Sequence, residues 1–159
     1  MKDDLVRYPA ALPMPQLSNQ RTNHVSPLMR TQLASGRARQ RRRFTSVPSI
    51  KSVSWKMNQA QAQLFEVWFS AGREYGGITD GADWFLCRLR TPMGIRDYQC
   101  RFTDIYSGPN ELGFFLYEFS AQLELIERPL LPPGETQFPD EIIYGSLFDR
   151  TMNQHWPEA

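Results

Sequence analysis

The sequence predicts an α+β domain that is mainly β, with one amphipathic helix and an extended arm at each end. Three observations predict it. Residues alternate over Ile50–Met57, where Lys51, Val53, Trp55 and Met57 make one mostly apolar side, and apolar and polar residues alternate cleanly over Tyr117–Leu125, the period-two signature of half-buried strands. Between them, Gln61, Leu64, Phe65, Trp68 and Phe69 recur at helical spacing, which makes one apolar stripe. The flanks are punctuated by proline and keep neither period. The expected division is an N-terminal arm over 1–36, a core domain over 37–128 and a C-terminal arm over 129–159.

A chain of 159 residues with 41% hydrophobic and 13% aromatic content is about one domain with enough apolar mass for a core. The net charge of +1 supplies no global field toward nucleic acid or a membrane. That balance hides an asymmetry: five of the 18 basic residues fall between Arg37 and Arg43, while the acids are spread through the second half. No apolar run approaches the roughly 18 residues of a membrane span, and no charged-then-apolar leader opens the chain. A soluble protein made in a reducing cytoplasm is expected. Its two cysteines, Cys87 and Cys100, are too few for a disulfide scaffold and read as buried free thiols, with a single cross-strand disulfide as the alternative.

In chain order, Pro9, Pro13, Pro15 and Pro27 break residues 1–35 into short apolar pieces. Proline fixes its own φ and biases the preceding residue toward extended backbone. The segment cannot build a core alone but is too apolar for an ordinary tail, so it reads as an arm that docks on another surface; the plainer alternative is an idle terminus. Arg37, Arg39, Arg41 and Arg43 then alternate, with Arg42 between the last two, as on one face of a strand. Three uses are open to them: bidentate pairing with carboxylates of a neighbouring subunit, a solvated face, or contact with nucleic acid.

Ile50 to Met57 is a half-buried strand with Val53, Trp55 and Met57 inward. Asn58 followed by Gln61 is a helix start with a capping box, and Leu64, Phe65, Trp68 and Phe69 are expected to seat a helix of three to four turns on the sheet. Gly72, Gly76, Gly77 and Gly81 mark a loop. With no preceding strand and no GK[ST], these glycines are not a phosphate loop. Residues 83–90 and 95–105 form a hairpin about Thr91-Pro92-Met93-Gly94, since proline suits the second turn position and glycine the fourth. Phe85, Cys87 and Leu89 should meet Tyr98, Cys100 and Phe102. A second turn is expected at Ser107–Asn110. One strand is then expected from Leu112 to Glu127, with Phe119 and Leu123 inward, roughly 50 Å long at about 3.4 Å per residue. A strand that long either bends near Gly113 or projects past its domain. Beyond Pro129, Asp140 is expected to cap a short helix carrying Ile142, Ile143, Leu147 and Phe148, and Trp156 ends the arm. Such a helix is a docking element.

Catalytic and metal chemistry finds little material. His24 and His155 both lie in the arms, away from the cysteines, so no zinc or haem spacing results. Asp80, Asp83 and Asp104 sit in loops, where carboxylates are ordinarily solvated. The expectation is a protein that is not an enzyme and has no cofactor and no metal.

From about Leu33 to Glu127 the order of elements resembles the minor tail protein M family of lambda-like phages. The matching features are a Gly36-Arg37 segment, a strand ending Val53-Ser54-Trp55, and a helix bearing Gln61, Leu64, Phe65 and Phe69. Gly81-Ala82-Asp83-Trp84-Phe85 then enters a strand, and the match finishes on Tyr117 to Glu124. The resemblance covers some 60% of the chain as a pattern. It implies a tail-tube-like β-sandwich or barrel flanked by a helix, and a homohexameric distal-tail ring that links tail tube to tail tip. Its partners would be itself, the tube protein and tail-tip proteins, in the virion tail after assembly in the host cytoplasm. No membrane and no direct DNA contact are expected. A longer N-terminal arm and the residues after Glu127 depart from the family pattern. The alternatives are a tail-completion or head–tail joining protein and, from another class, a nucleic-acid-binding accessory protein using Arg37–Arg43.

Overall fold

The computed structural model describes residues 5–16, 21–145 and 147. The chain divides into two compact units, Met1–Pro129 and Leu130–Ala159. The first unit is mainly β. Its spine is an antiparallel pair, β5 (Ser49–Asn58) with β9 (Leu116–Leu125), matched over ten residues from Ser49↔Leu125 to Asn58↔Leu116. That register puts Lys51, Val53, Trp55 and Met57 on the same face as Leu123, Ala121, Phe119 and Tyr117, which is the alternation of the sequence made into one sheet face.

The helix α1 (Gln59–Ser70) starts where β5 stops. Asn58 accepts from the Gln61 N–H at 2.9 Å and donates its own N–H to Gln61 Oε1 at 3.1 Å, so the capping box forms. Phe65, Trp68 and Phe69 are buried with Ala62. Ring centroids lie 5.0 Å apart for Phe65 and Phe119 and 5.1 Å for Phe69 and Phe102. Each buried aromatic contributes on the order of 1.5–3 kcal/mol before entropic costs. Leu64, expected in this stripe, is 39% exposed instead. The buried face is centred on Ala62, Phe65 and Phe69, and Leu64 falls to its rim with the exposed Val67.

After a 3-10 turn at Arg73–Tyr75, β6 (Phe85–Thr91) and β7 (Gly94–Phe102) form the expected hairpin, pairing Phe85↔Cys100 and Cys87↔Tyr98 across a two-residue turn. Trp55, Phe85, Phe102, Phe119 and Leu123 are all buried. Cys87 and Cys100 are buried and free.

The long final strand is not present. Ser107–Asn110, expected as a turn, lies instead within β8 (Ser107–Glu111), which pairs with β9 over Ser107↔Ser120 to Glu111↔Tyr117 with a register irregularity between. The chain reverses at Leu112–Phe115, where Gly113 (φ +99°) and Phe115 (φ +59°) are left-handed and the Leu112 N–H donates to the Leu116 carbonyl at 2.8 Å. β9 is therefore ten residues long, within the usual range. One edge of β9 is shared: β7 pairs with its C-terminal end and β8 with its N-terminal half.

The N-terminal segment departs furthest from an arm that docks elsewhere. β1 (Val6–Arg7) adds to β6 in parallel, and β2 (Thr22–His24) adds to β5 antiparallel. Between them Leu12 is buried, and the Gln16 N–H donates to the Ser54 carbonyl at 2.8 Å. The chain thus covers both outer edges of the sheet ordered β1-β6-β7-β9-β5-β2, a common protection of bare edges.

Lys51, on β5, donates through Nζ to the Arg90 carbonyl on β6. Those strands are three places apart, about 14 Å in a flat sheet, so the sheet must curl to let a lysine side chain span it. Curling does not become closure. Among the described residues there is one curved mixed sheet with α1 on its inner face and a small separate hairpin, and neither a closed barrel nor two sheets packed face to face.

In the second unit, a 3-10 turn spans Pro133–Gln137 and residues 139–145 are helical. Asp140 lies inside the first turn of this helix rather than at its cap. Ile142, Ile143 and Leu147 are exposed; Phe148 and Trp156 lie outside the described residues. No helix among the described residues is long and apolar enough to cross a membrane.

Candidate functional site

The small hairpin is built from β3 (Leu28–Gln32) and β4 (Ala38–Arg42), and every residue of both strands is exposed. Its base is held where the Pro27 carbonyl accepts from the N–H groups of Arg43 (2.7 Å) and Phe44 (3.3 Å). Its tip turns through Gly36 (φ +77°), with Gly36 N–H donating to the Leu33 carbonyl at 3.0 Å. Glycine takes that left-handed backbone without the Cβ clash that other residues meet.

The arginines divide by face. Register pairs Met29 with Arg41 and Thr31 with Arg39, so Arg39 and Arg41 of the alternating set lie together, and Met29, Thr31, Leu33, Arg39 and Arg41 line a shallow depression of about 280 Å³. Arg41 Nη2 lies 3.7 Å from Met29 Sδ. Arg42 points to the other face and serves the hairpin itself, donating from Nε to the Phe44 carbonyl at 2.8 Å and from Nη2 to the Thr45 carbonyl. Arg43 lies over the Phe44 ring, 5.1 Å from its centroid. Among the described residues, Arg37, Arg39 and Arg41 have no carboxylate within ion-pair distance. None is close in sequence either: residues 5–65 carry ten basic side chains and no acid.

The ion pairs that do form lie elsewhere. Arg88 meets Asp97 at 3.3 Å between β6 and β7, and Arg101 meets Glu124 at 2.7 Å while its guanidinium lies over Trp84 at 4.7 Å. On the outer face of the β5–β9 pair, a groove of about 540 Å³ is floored by Ser52, Ser120 and Gln122 and walled by Asp104 and Glu118. Asp104 Oδ1 accepts from the Ile105 N–H at 2.8 Å. Neither acid has a basic partner within ion-pair distance among the described residues.

A third surface is apolar. The reversal between β8 and β9 exposes Leu112 (47%), Phe114 (99%), Phe115 (64%) and Leu116 (38%). Exposed apolar side chains grouped in this way make a candidate contact surface. Periodicity concealed it, because Leu112–Leu116 reads as more strand; the signal was Gly113, since a lone glycine in a strand pattern marks a bulge or turn.

The loop acids do not converge on a reaction centre. Asp83 Oδ2 accepts from Thr79 Oγ1 at 2.6 Å, Asp80 sits in an exposed left-handed turn, and Asp104 lies in the groove. His24 Nδ1 is 2.8 Å from Ser49 Oγ. Among the described residues no group of three His, Cys, Asp or Glu side chains is placed to hold a metal ion. Comparison with protein families, with curated proteins and with solved structures finds no match to this chain.

Proposed function

We propose that this protein is a structural subunit of a bacteriophage tail, a ring-forming minor or distal tail protein that joins tail tube to tail tip. The observation that carries the reading is the arginine hairpin. A two-stranded hairpin is at best marginally stable alone in water, and this one has every strand residue exposed. Its Arg37, Arg39 and Arg41, without a carboxylate partner among the described residues, and its exposed Leu28, Met29 and Leu33 fit a contact completed by another subunit. The resemblance of the element order to the minor tail protein M family supports the same reading, as do the exposed Phe114 tip and the apolar residues Ile142, Ile143 and Leu147. Partners would be further copies in a ring, the tube protein and tip proteins.

Electron microscopy and native mass spectrometry of the purified chain test this. Six-membered rings are expected. Arg39→Ala with Arg41→Ala should reduce ring formation while shifting the melting temperature little, because exposed substitutions ordinarily change stability by under about 0.5 kcal/mol. Loss of folding in that variant would remove the interface assignment.

One observation favours a nucleic-acid-binding accessory protein as a second reading. A two-stranded β-ribbon fits the major groove of DNA, and this ribbon carries arginine with no acid near it in sequence. A monomer whose DNA affinity falls steeply with salt would select that reading.

A further inference from the structure

We infer that the arginine hairpin of one copy docks into the Asp104–Glu118 groove on the outer face of the next copy. This rests on the ring reading and names the surface that the hairpin meets.

Charge and shape come from the same chain. The hairpin presents Arg39 and Arg41 two residues apart on one strand face, about 7 Å along the strand, with no carboxylate within ion-pair distance among the described residues. The groove presents Asp104 and Glu118 over a floor of hydroxyl and amide side chains that can accept the remaining guanidinium N–H groups. Glu118 faces Lys56 across the β5–β9 pair, the residue opposite it in register. Lys56 is exposed and makes no ion pair among the described residues, so the carboxylate can turn to an incoming guanidinium. Arginine's planar fork favours such bidentate, charge-assisted pairing.

The other strand edge on this face is blunted. β8 carries Pro109, which lacks an N–H and discourages strand addition there. A tongue-and-groove contact gives every copy one donor and one receiver surface. Such a heterologous contact closes into a ring when its rotation closes.

The test is charge exchange in the full chain, read by native mass spectrometry and sedimentation, with thermal melts to verify folding. The hairpin variant is Arg39→Glu with Arg41→Glu; the groove variant is Asp104→Lys with Glu118→Lys. Each alone should weaken association at least roughly tenfold. Mixing the two variants should restore it, because every contact in an alternating ring is again complementary. A groove variant that associates like the wild type overturns the proposal while leaving the ring reading standing. A mixture that stays apart also overturns it. A wild-type chain that remains monomeric overturns both.

Discussion

Tyr8 packs edge-on against Trp68, ring centroids 5.3 Å apart at 86°, and donates its hydroxyl to the Pro13 carbonyl at 3.0 Å. It also stacks near Trp55, at 6.5 Å. A residue from the proline-punctuated N-terminal segment thereby joins the aromatic core of β5 and α1, and residues 5–16 become part of the domain that they cover.

Tyr8→Ala is expected to destabilise the protein by about 2–4 kcal/mol through the cavity left against both tryptophans. Tyr8→Phe keeps the rings and loses only the hydroxyl bond, about 0.5–1.5 kcal/mol. Urea denaturation measures both; equal losses would mean that ring packing is not what anchors the segment.

Alkaline pH should weaken the fold. Burial, then the neighbouring Cys87, raises the Tyr8 phenol above its ordinary 10.0. Burial, then the hydrogen bond with Cys87, raises the Cys100 thiol well above 9.0. Unfolded, both groups lose protons near their ordinary values; folded, both keep them. Their contribution is therefore complete below about pH 9 and declines as pH rises above it. Lys51 opposes this, because burial lowers its amine below 10.5 and its contribution grows with pH up to that value. Denaturation midpoints at pH 7.5 and 10.5 should fall for the wild type and fall less for Tyr8→Phe.

Gly81→Ala should be costly on two counts. Gly81 has φ +85°, and an added Cβ would lie 3.0 Å from Phe102 Cβ and 3.0 Å from the Phe69 ring. A loss of roughly 1–3 kcal/mol is expected, read as a lowered melting temperature. An unchanged one would show that this turn shifts without disturbing the Phe69–Phe102 contact.

Phe114→Ser should leave stability within about 0.5 kcal/mol, since the side chain is 99% exposed. Binding of a hydrophobic dye to the folded protein should drop. A large stability loss would place Phe114 in the core rather than on a contact surface.

Elements specified by adjacent residues were legible. Asn58 and Gln61 cap α1 because both partners lie within one turn of backbone, and Pro92 with Gly94 sets the β6–β7 reversal by fixing local angles. The inward set of β5 followed from period two alone. The arginine alternation was legible as well, whereas the groove walled by Asp104 and Glu118 was not, since its walls come from a loop and a strand fourteen positions apart.

By itself, the sequence determined a mainly β domain with one capped helix, one tight hairpin and an aromatic core, because those depend on short-range periodicity and turn chemistry. Only the tertiary structure decided that Val6–Arg7 and Thr22–His24 complete the sheet edges, that Leu64 sits at the helix rim, and that Leu112–Phe115 turns where alternation alone would continue the strand. Edge pairing, helix rotation and the exposure of Phe114 depend on residues far apart in the chain, and no local pattern carries that information.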